Sequence, residues 1–573
     1  MSILKPYIKK YWYLVVVAVI AVSFSALAAL WQPQLLSKVI TAINDKNMDK
    51  VTEYGWQLVA IAIGGLVLGV VNAFFAARFS QNVAADVREN TYKKIQGFSF
   101  ANIEKFSAGN LVVRMTNDVQ QVQNLSMLIL QNIFRIPVLL IGGIILSVQA
   151  IHQLWWVIVV MFVLILIILG AIFPQMGKRF GMMQRFIDAI NTKAKENLQG
   201  VRVVKSFNQQ ENQEKSFNET SDDMTKLNIG IGYLFAIVMP AFMFIGQGLV
   251  SLSIYLVAKI TETDPDMKMV ANITSFTQYL MQIMFALIIG GVSITFASRG
   301  MVSLGRIKEV LDTENDLVFK DVPEENLDGS VEFNDVTFEY PTDEEPTLRN
   351  VTFSIKSGET IGIVGATGAG KSSLSQLIPR LFDPQSGSIK VGGVDLRDVN
   401  ESSLRKAVKL VSQKATLFSG TIAENLRQGK PDATLEDLKW AADIAQASEF
   451  IEKYPDTYDH EVEERSANFS GGQKQRISIA RGLIGRPSIL ILDDSTSALD
   501  ARSEKLVQEG LATQLKGTTV ITIAEKISSV INANRIIVME NGTIESIGTH
   551  KQLLKKSKTY KEIYETQKAQ EDK

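Results

Sequence analysis

Gly365, Ala366, Thr367, Gly368, Ala369, Gly370, Lys371 and Ser372 form the pattern G-x-x-x-x-G-K-S within a chain of 573 residues. Glycines let backbone N–H groups turn toward phosphate oxygens, the lysine neutralises β/γ charge, and the serine hydroxyl can ligate Mg²⁺. Further along, the apolar run Ile489-Leu490-Ile491-Leu492 ends in Asp493. A carboxylate ending a strand beside a phosphate loop is suited to positioning Mg²⁺. Between the two stands Ser470-Gly471-Gly472-Gln473. Serine and glycines at the start of a helix have anion-binding chemistry of their own. ATP and Mg²⁺ are therefore the expected ligands.

These residues need a strand before the loop and a helix after it. Thr360–Val364 reads as a short buried strand and Leu374–Leu381 as an apolar helix, so the context is right. From about Ser330 onward the pattern is soluble α/β. The first 300 residues are different. A helix crossing the bilayer core needs roughly 20 mostly apolar residues. Six stretches meet that test: Tyr13–Leu35, Leu58–Ala77, Ile136–Ile151 with its upstream turns, Trp155–Met176, Tyr233–Ala258 and Val270–Ala297. The expected fold class is an all-α, six-helix transmembrane domain (1–315), a linker (316–329) and an α/β P-loop nucleotide-binding domain (330–573).

The segments after the second and fourth spans are long and basic (Arg88, Lys93, Lys94, Lys105, Arg114; then Lys178, Arg179, Arg185, Lys193, Lys195). Those after the first, third and fifth are short and hold few bases. The positive-inside rule therefore predicts cytoplasmic termini and cytoplasmic long loops. Reading Ala26-Leu27-Ala28 as a signal-peptide cleavage site would leave five crossings and export the ATPase, so parity favours an uncleaved span. Lys plus Arg is 59 against 60 for Asp plus Glu, which gives no basic excess for nucleic acid. The chain has no cysteine and only three histidines, which excludes disulfides and thiol chemistry and disfavours a His-based metal centre.

Asn468-Phe469-Ser470-Gly471-Gly472-Gln473 resembles the signature of ATP-binding cassette (ABC) transporters, with Phe469 in the usual leucine place. In that family the signature closes over ATP held by the other subunit. The resemblance also implies that Tyr340 stacks on adenine, that Gly365–Ser373 cradle phosphates (Ser373 included), and that Gln413 touches Mg²⁺ and the attacking water. Mg²⁺ would be held by Ser372, Gln413 and Asp493. Ser497-Ala498-Leu499-Asp500 is similar to the D-loop. Phe106–Asp118 and Glu196–Phe207 resemble the two cytoplasmic loops of type IV exporters, whose short coupling helices dock on ATPase domains.

Two positions break the family pattern. Asp494 stands where the catalytic base is Glu, shorter by one methylene, about 1.5 Å. Misplacing a catalytic group by about 1 Å can cost on the order of 10²-fold. Glu525 stands where the switch histidine contacts the γ-phosphate. A carboxylate about 4 Å from phosphate charge is repelled by roughly 4 kcal/mol at an effective dielectric of 20. Glu525 is therefore expected to turn away or to leave the transition-state geometry incomplete. Val462-Glu463-Glu464-Arg465-Ser466 also lacks the family's usual glycine ahead of the signature. Such losses resemble one subunit of the heterodimeric bacterial multidrug exporters, whose degenerate ATP site relies on a sister half-transporter with an intact Glu and His. Drug-like molecules and the lipid bilayer are then the other expected partners, and the plasma membrane the location. A lipid or peptide exporter and a regulatory ATP-binding chain are the alternatives.

No motif names the cargo. Spans five and six carry Phe235, Phe242, Phe244, Gln247, Gln278, Tyr279, Gln282, Phe285 and Phe296 without a charge. Most are expected to pack against lipid or other helices, and a minority facing a central cavity would favour bulky, apolar or weakly amphipathic compounds. Arg135 stands at the expected cytoplasmic start of span three, from where it can snorkel to water.

Overall fold

A computed structural model describes residues 3–571 apart from 264–266, 342 and 344. The chain divides into two compact units, one of Met1–Lys94 with Gly109–Thr313 and one of Ile95–Ala108 with Glu314–Lys573.

Among the described residues six helices, lying mainly in the first unit, are long and apolar enough to cross a membrane: Trp12–Asn44, Met48–Gln96, Ala108–Ala150, His152–Gln199, Gln210–Glu262 and Lys268–Asp312. Five of them contain an expected span and outrun it, and the third covers its span up to Ala150, one residue short of Ile151. The 49 residues of Met48–Gln96 extend about 74 Å at 1.5 Å per residue, against an apolar layer of about 30 Å. Polar, helix-favouring sequence continues each helix past its apolar core. The third is interrupted by two π-helical turns, Arg114–Asp118 and Ile129–Ile133.

Backbone accounting explains the packing of the last helix on the first. Pro33 lies inside Trp12–Asn44 and has no N–H to give the carbonyl of Ala29, four residues earlier. Gln282 Nε2 donates to that carbonyl at 3.0 Å, and Tyr279 Oη donates to the adjacent Leu30 carbonyl at 2.8 Å. An unsatisfied backbone group in hydrocarbon costs several kcal/mol. Both side chains, read from sequence as possible cavity residues, are thus committed to helix packing. Phe242 is buried as well, while Phe235, Phe244, Phe285 and Phe296 stay exposed. Buried Arg114 pairs with Glu309 at 2.9 Å, and buried Asp118 accepts from Ser303 Oγ at 2.7 Å. The exporter-like motif of the first loop therefore locks the third helix to the sixth.

In the second unit a six-stranded sheet runs in the order Thr543–Gly548, Arg535–Glu540, Thr360–Gly365, Thr519–Ile523, Ile489–Asp493, Val408–Val411. All neighbours are parallel except the edge hairpin of the first two strands. The central strands read as continuous apolar runs because helices cover both faces, and Ile489–Asp493 is buried throughout. An antiparallel sheet orders Leu348–Ile355, Val331–Phe338, Ser386–Val391 and Val394–Asp395. The short helix Phe100–Phe106, capped by Ser99, belongs to this unit. Its Phe100 ring lies 6.4 Å from that of Phe382, and Asn102 Nδ2 donates to Asp316 at 3.2 Å. The counterpart helix in the second loop, Val201–Ser206, has no buried residue.

Candidate nucleotide site

Four adjacent parallel strands end on the same edge of the six-stranded sheet, and each hands its next residues to one cleft. Thr360–Gly365 leads into the phosphate loop, Ile489–Asp493 into Asp494, Thr519–Ile523 into Ala524-Glu525, and Val408–Val411 into Ser412-Gln413. Ligands of open α/β sheets bind beyond the carboxyl ends of strands. Register fixes the spacing: Ile523 stands opposite both Ile363 and Asp493.

The phosphate loop is built for backbone. A Cβ at Gly365 would lie 2.3 Å from the Met539 carbonyl oxygen, and Gly370 has φ +91°, which side chains resist. Lys371 Nζ donates to the Gly365 and Ala366 carbonyls at 2.9 and 2.8 Å. Burial holds its pKa below the ordinary lysine range, against the opposing charges of Glu525, Asp493 and Asp494. Ser372 Oγ donates to Asp493 Oδ1 at 3.1 Å. Asp493, only 7% exposed, is pushed above the usual carboxylate range by burial, partly offset by the Ser372 bond. Gln413 Nε2 donates to Asp494 Oδ2 at 3.1 Å. Asp494 itself has φ +45°, a left-handed conformation that Asp tolerates better than most residues.

The cleft measures about 250 Å³ and is lined by Thr347, Thr367, Gly368, Gly370, Lys371, Ser372, Ser373, Gln413, Asp493, Asp494, Ile523 and Glu525. Glu525 is among the residues that line the cleft. A hydroxyl, a carboxylate and an amide oxygen are hard donors that suit Mg²⁺ held jointly with phosphates. Among the described residues no group of three or more acidic or histidine side chains offers a fully protein-built site. When bound, the ion would neutralise phosphate charge, while Lys371 and the loop amides hold the phosphates in place.

The remaining expected residues lie elsewhere. Ala366 and Ala369 shape the loop, with Ala369 buried against the sheet. Tyr340 stands behind the loop, its hydroxyl 3.0 Å from Ser373 Oγ and its ring edge-on to Phe338 and Phe382. Ser470, Gly471, Gly472 and Gln473 are absent from the cleft lining. They open the helix Gly471–Leu483 through a reciprocal capping box, Ser470 N to Gln473 Oε1 at 2.9 Å and Gln473 N to Ser470 Oγ at 3.3 Å. Phe469 packs in a cluster with Phe450, Tyr454 and His460, which accounts for an aromatic in place of leucine. In the preceding loop Arg465 and Ser466 both have positive φ, 57° and 50°. Left-handed residues other than glycine cost of order 1 kcal/mol or more each, so the missing glycine leaves strain there.

Sequence reading missed two connections. Glu504 Oε1 accepts from Thr496 Oγ1 at 3.0 Å and from Ser529 Oγ at 2.5 Å, tying the segment after Asp494 to the segment after Glu525. Buried Gln475, on the signature helix, donates to the Gln413 carbonyl at 3.4 Å. The only sequence signal for Glu504 is its place in the first turn after the cap Asp500.

Residues 348–497 match the ABC transporter family, and residues 15–287 the ABC transporter transmembrane region. The uncharacterised ABC transporter ATP-binding protein YfiB of Bacillus subtilis is 36% identical over 99% of this chain and 98% of its own. This chain belongs to the ABC transporter family. YgaD of Bacillus subtilis, named as a candidate multidrug export ATP-binding/permease protein, is 32% identical over 99% of this chain and 98% of its own. A bacterial Atm1-family ABC exporter solved with ATP bound shares the fold at a TM-score of 0.78 and 22% identity, covering 98% of this chain and 99% of that one. The ABC chain thus joins a multi-pass membrane domain to an ATP-binding domain that implies ATP hydrolysis coupled to transport.

Proposed function

We propose that this chain is one subunit of a heterodimeric ABC exporter. It carries hydrophobic or amphipathic drug-like molecules out across a bacterial plasma membrane, with both termini and the ATPase domain cytoplasmic. One observation carries the reading. Lys371, Ser372 and Asp493 share a cleft with Asp494 and Glu525, while the signature Ser470–Gln473 does not line it. A site of this composition binds Mg²⁺-ATP but lacks a full-length base and a switch histidine. The signature is then available to a sister subunit's phosphate loop, whose Glu and His perform the hydrolysis. Tyr340 is assigned to adenine, Gln413 to Mg²⁺ and water, and the export machinery to residues 1–315 and 330–573. The likeness to YgaD favours multidrug cargo over lipid or peptide.

ATP turnover of the isolated full-length chain, measured beside the co-produced pair, tests the reading. The isolated chain is expected to bind ATP and to hydrolyse it about 10²-fold more slowly, the scale of a misplaced catalytic group. Fast hydrolysis by a homodimer of this chain would exclude it.

A further inference from the structure

Arg135 follows the π-helical turn Ile129–Ile133 and lines a pocket of about 200 Å³ together with Ser25, Asn72, Gln131 and Asn132. It precedes Ile151, at the outer end of its helix, by 16 residues, or about 24 Å. That is less than the roughly 30 Å apolar layer, so the Arg135 backbone lies within the membrane-spanning part, and its exposed side chain extends from there toward the interface. A π turn inside an α-helix is a frequent mark of a functional position.

Charge makes the pocket unusual. Among the described residues no acidic side chain lines it. The sequence goes further: Tyr11–Asn44, Tyr54–Ala85, Val119–Ala150 and Lys268–Lys308 contain no Asp or Glu at all. No carboxylate of these helices can therefore neutralise Arg135 from within the apolar layer. Asn72 is already committed, its Nδ2 donating to the Ala18 and Leu130 carbonyls at 2.9 and 3.2 Å. Asn132 Nδ2 reaches Ser293 Oγ at 3.4 Å. These bonds hold the pocket wall, and leave the guanidinium, the Gln131 amide and the second N–H of Asn132 as its donors. An ionisable residue at membrane depth is a functional group with a partner to be named, and planar guanidinium fits oxyanions bidentately.

We propose that the Arg135 pocket binds the acidic head group of an amphipathic anion, whose apolar body lies against the surrounding spans. The pocket is smaller than the roughly 300 Å³ that drug-sized ligands start from, which suits a head group and not a whole molecule. The proposal deepens the export reading by naming a substrate class. The same chemistry could be offered by a transported amphiphile or by an anionic lipid.

The test uses the full-length chain, co-purified with its sister subunit, in phosphatidylcholine nanodiscs. The probes are a fluorescent dodecyl sulfonate and its uncharged methyl sulfone. The sulfonate is expected to bind about tenfold tighter or more, the gain of a charge-assisted pair. Arg135→Gln should bring the two within about twofold by weakening the sulfonate alone, and Arg135→Lys should keep the preference. Unaltered sulfone affinity shows that the variants are folded. Equal binding of both probes to the unmodified protein, or a preference that survives Arg135→Gln, would overturn the proposal. Adding phosphatidylglycerol separates the sources: weaker sulfonate binding only when Arg135 is present identifies a lipid head group as the occupant, and unchanged binding identifies the free amphiphile. If the preference holds but ATP moves neither probe in proteoliposomes, the anion site stands and the export reading falls.

Discussion

The two halves of the nucleotide cleft differ in how deeply they are embedded. Lys371 and Asp493 are 9% and 7% exposed, bonded to the loop carbonyls and to Ser372. Asp494 is half-buried and Glu525 is exposed. The first pair is built into the sheet and the phosphate loop, so replacing either disturbs packing as well as ligand binding. The second pair sits on loop tips beyond the strand ends, where a side chain can change without loss of the fold. On the reading proposed above, the phosphate-holding residues keep the family's pattern and the two tip residues depart from it. On that reading binding is supported by structure that the fold itself needs, whereas hydrolysis depends on side chains that the fold does not.

The sharpest way to break this contrast is to disable each ATP site in turn. On the heterodimer reading, replacing the catalytic Glu of the sister subunit by Gln should reduce turnover of the pair by roughly 10²–10⁴-fold, the range of acid–base catalysis. Lys371→Ala in this chain should weaken ATP retention and lower turnover only partly, since on the same reading its charge stabilises bound phosphate at a slow site. Nucleotide trapping in the two variants checks it, and equal losses would mean that the sites are equivalent.

Ser470→Ala comes next in size. It removes a cap worth about 0.5–2 kcal/mol to the helix and, on the heterodimer reading, part of the contact to the sister subunit's nucleotide. Drug-stimulated turnover should fall about tenfold, by analogy with the loss of one charge-assisted hydrogen bond. Ser470→Thr, which can still cap, should recover most of it. Turnover unchanged in Ser470→Ala would show that the signature does not serve a working site.

Glu504→Ala probes a contact behind the tips. Without its carboxylate the Thr496 and Ser529 hydroxyls lose a common acceptor. A buried polar group left unpaired costs about 1–3 kcal/mol, so the two segments should loosen together. The expected result is a several-fold lower kcat with little change in KM for ATP. A change confined to KM would mean that Glu504 does not align these segments.

The smallest effect is expected at the opposite end of the phosphate-loop strand. There Glu359 is bonded by Arg535, at 2.5 Å from Nε, and is held below the ordinary glutamate range by that bond. A carboxylate with a depressed folded-state pKa stabilises above its unfolded value, here about 4.5, and the gain is lost as pH falls through its folded value. Glu359→Gln should lower the melting temperature of the ATPase unit by about 2–4 °C at pH 7 and by less at pH 3.5. ATP affinity should not move. A loss of ATP affinity would show that the two ends of the strand are coupled.

Local spacing carried much of this molecule in its sequence. The phosphate loop, the strand ending in Asp493 and the six apolar runs are patterns among neighbours, and neighbours are bound to meet because the chain joins them. The residue types at Asp494 and Glu525, on which the proposed degenerate site rests, are read in the same local way. Contacts between distant segments were not legible. No spacing relates Gln413 to Asp494, Thr496 and Ser529 to Glu504, or Gln282 to a carbonyl freed by Pro33. Arg135 read as a residue at the membrane edge, and only the packing of three helices sets it beside Ser25 and Asn72 in a pocket without acid. Which of the span-five and span-six side chains pack against helices was open from sequence, and Tyr279 does so through its bond to the Leu30 carbonyl. Side-chain type announces what a residue can donate or accept, but which partner it meets is settled by hydrogen-bond satisfaction and close packing across the whole fold.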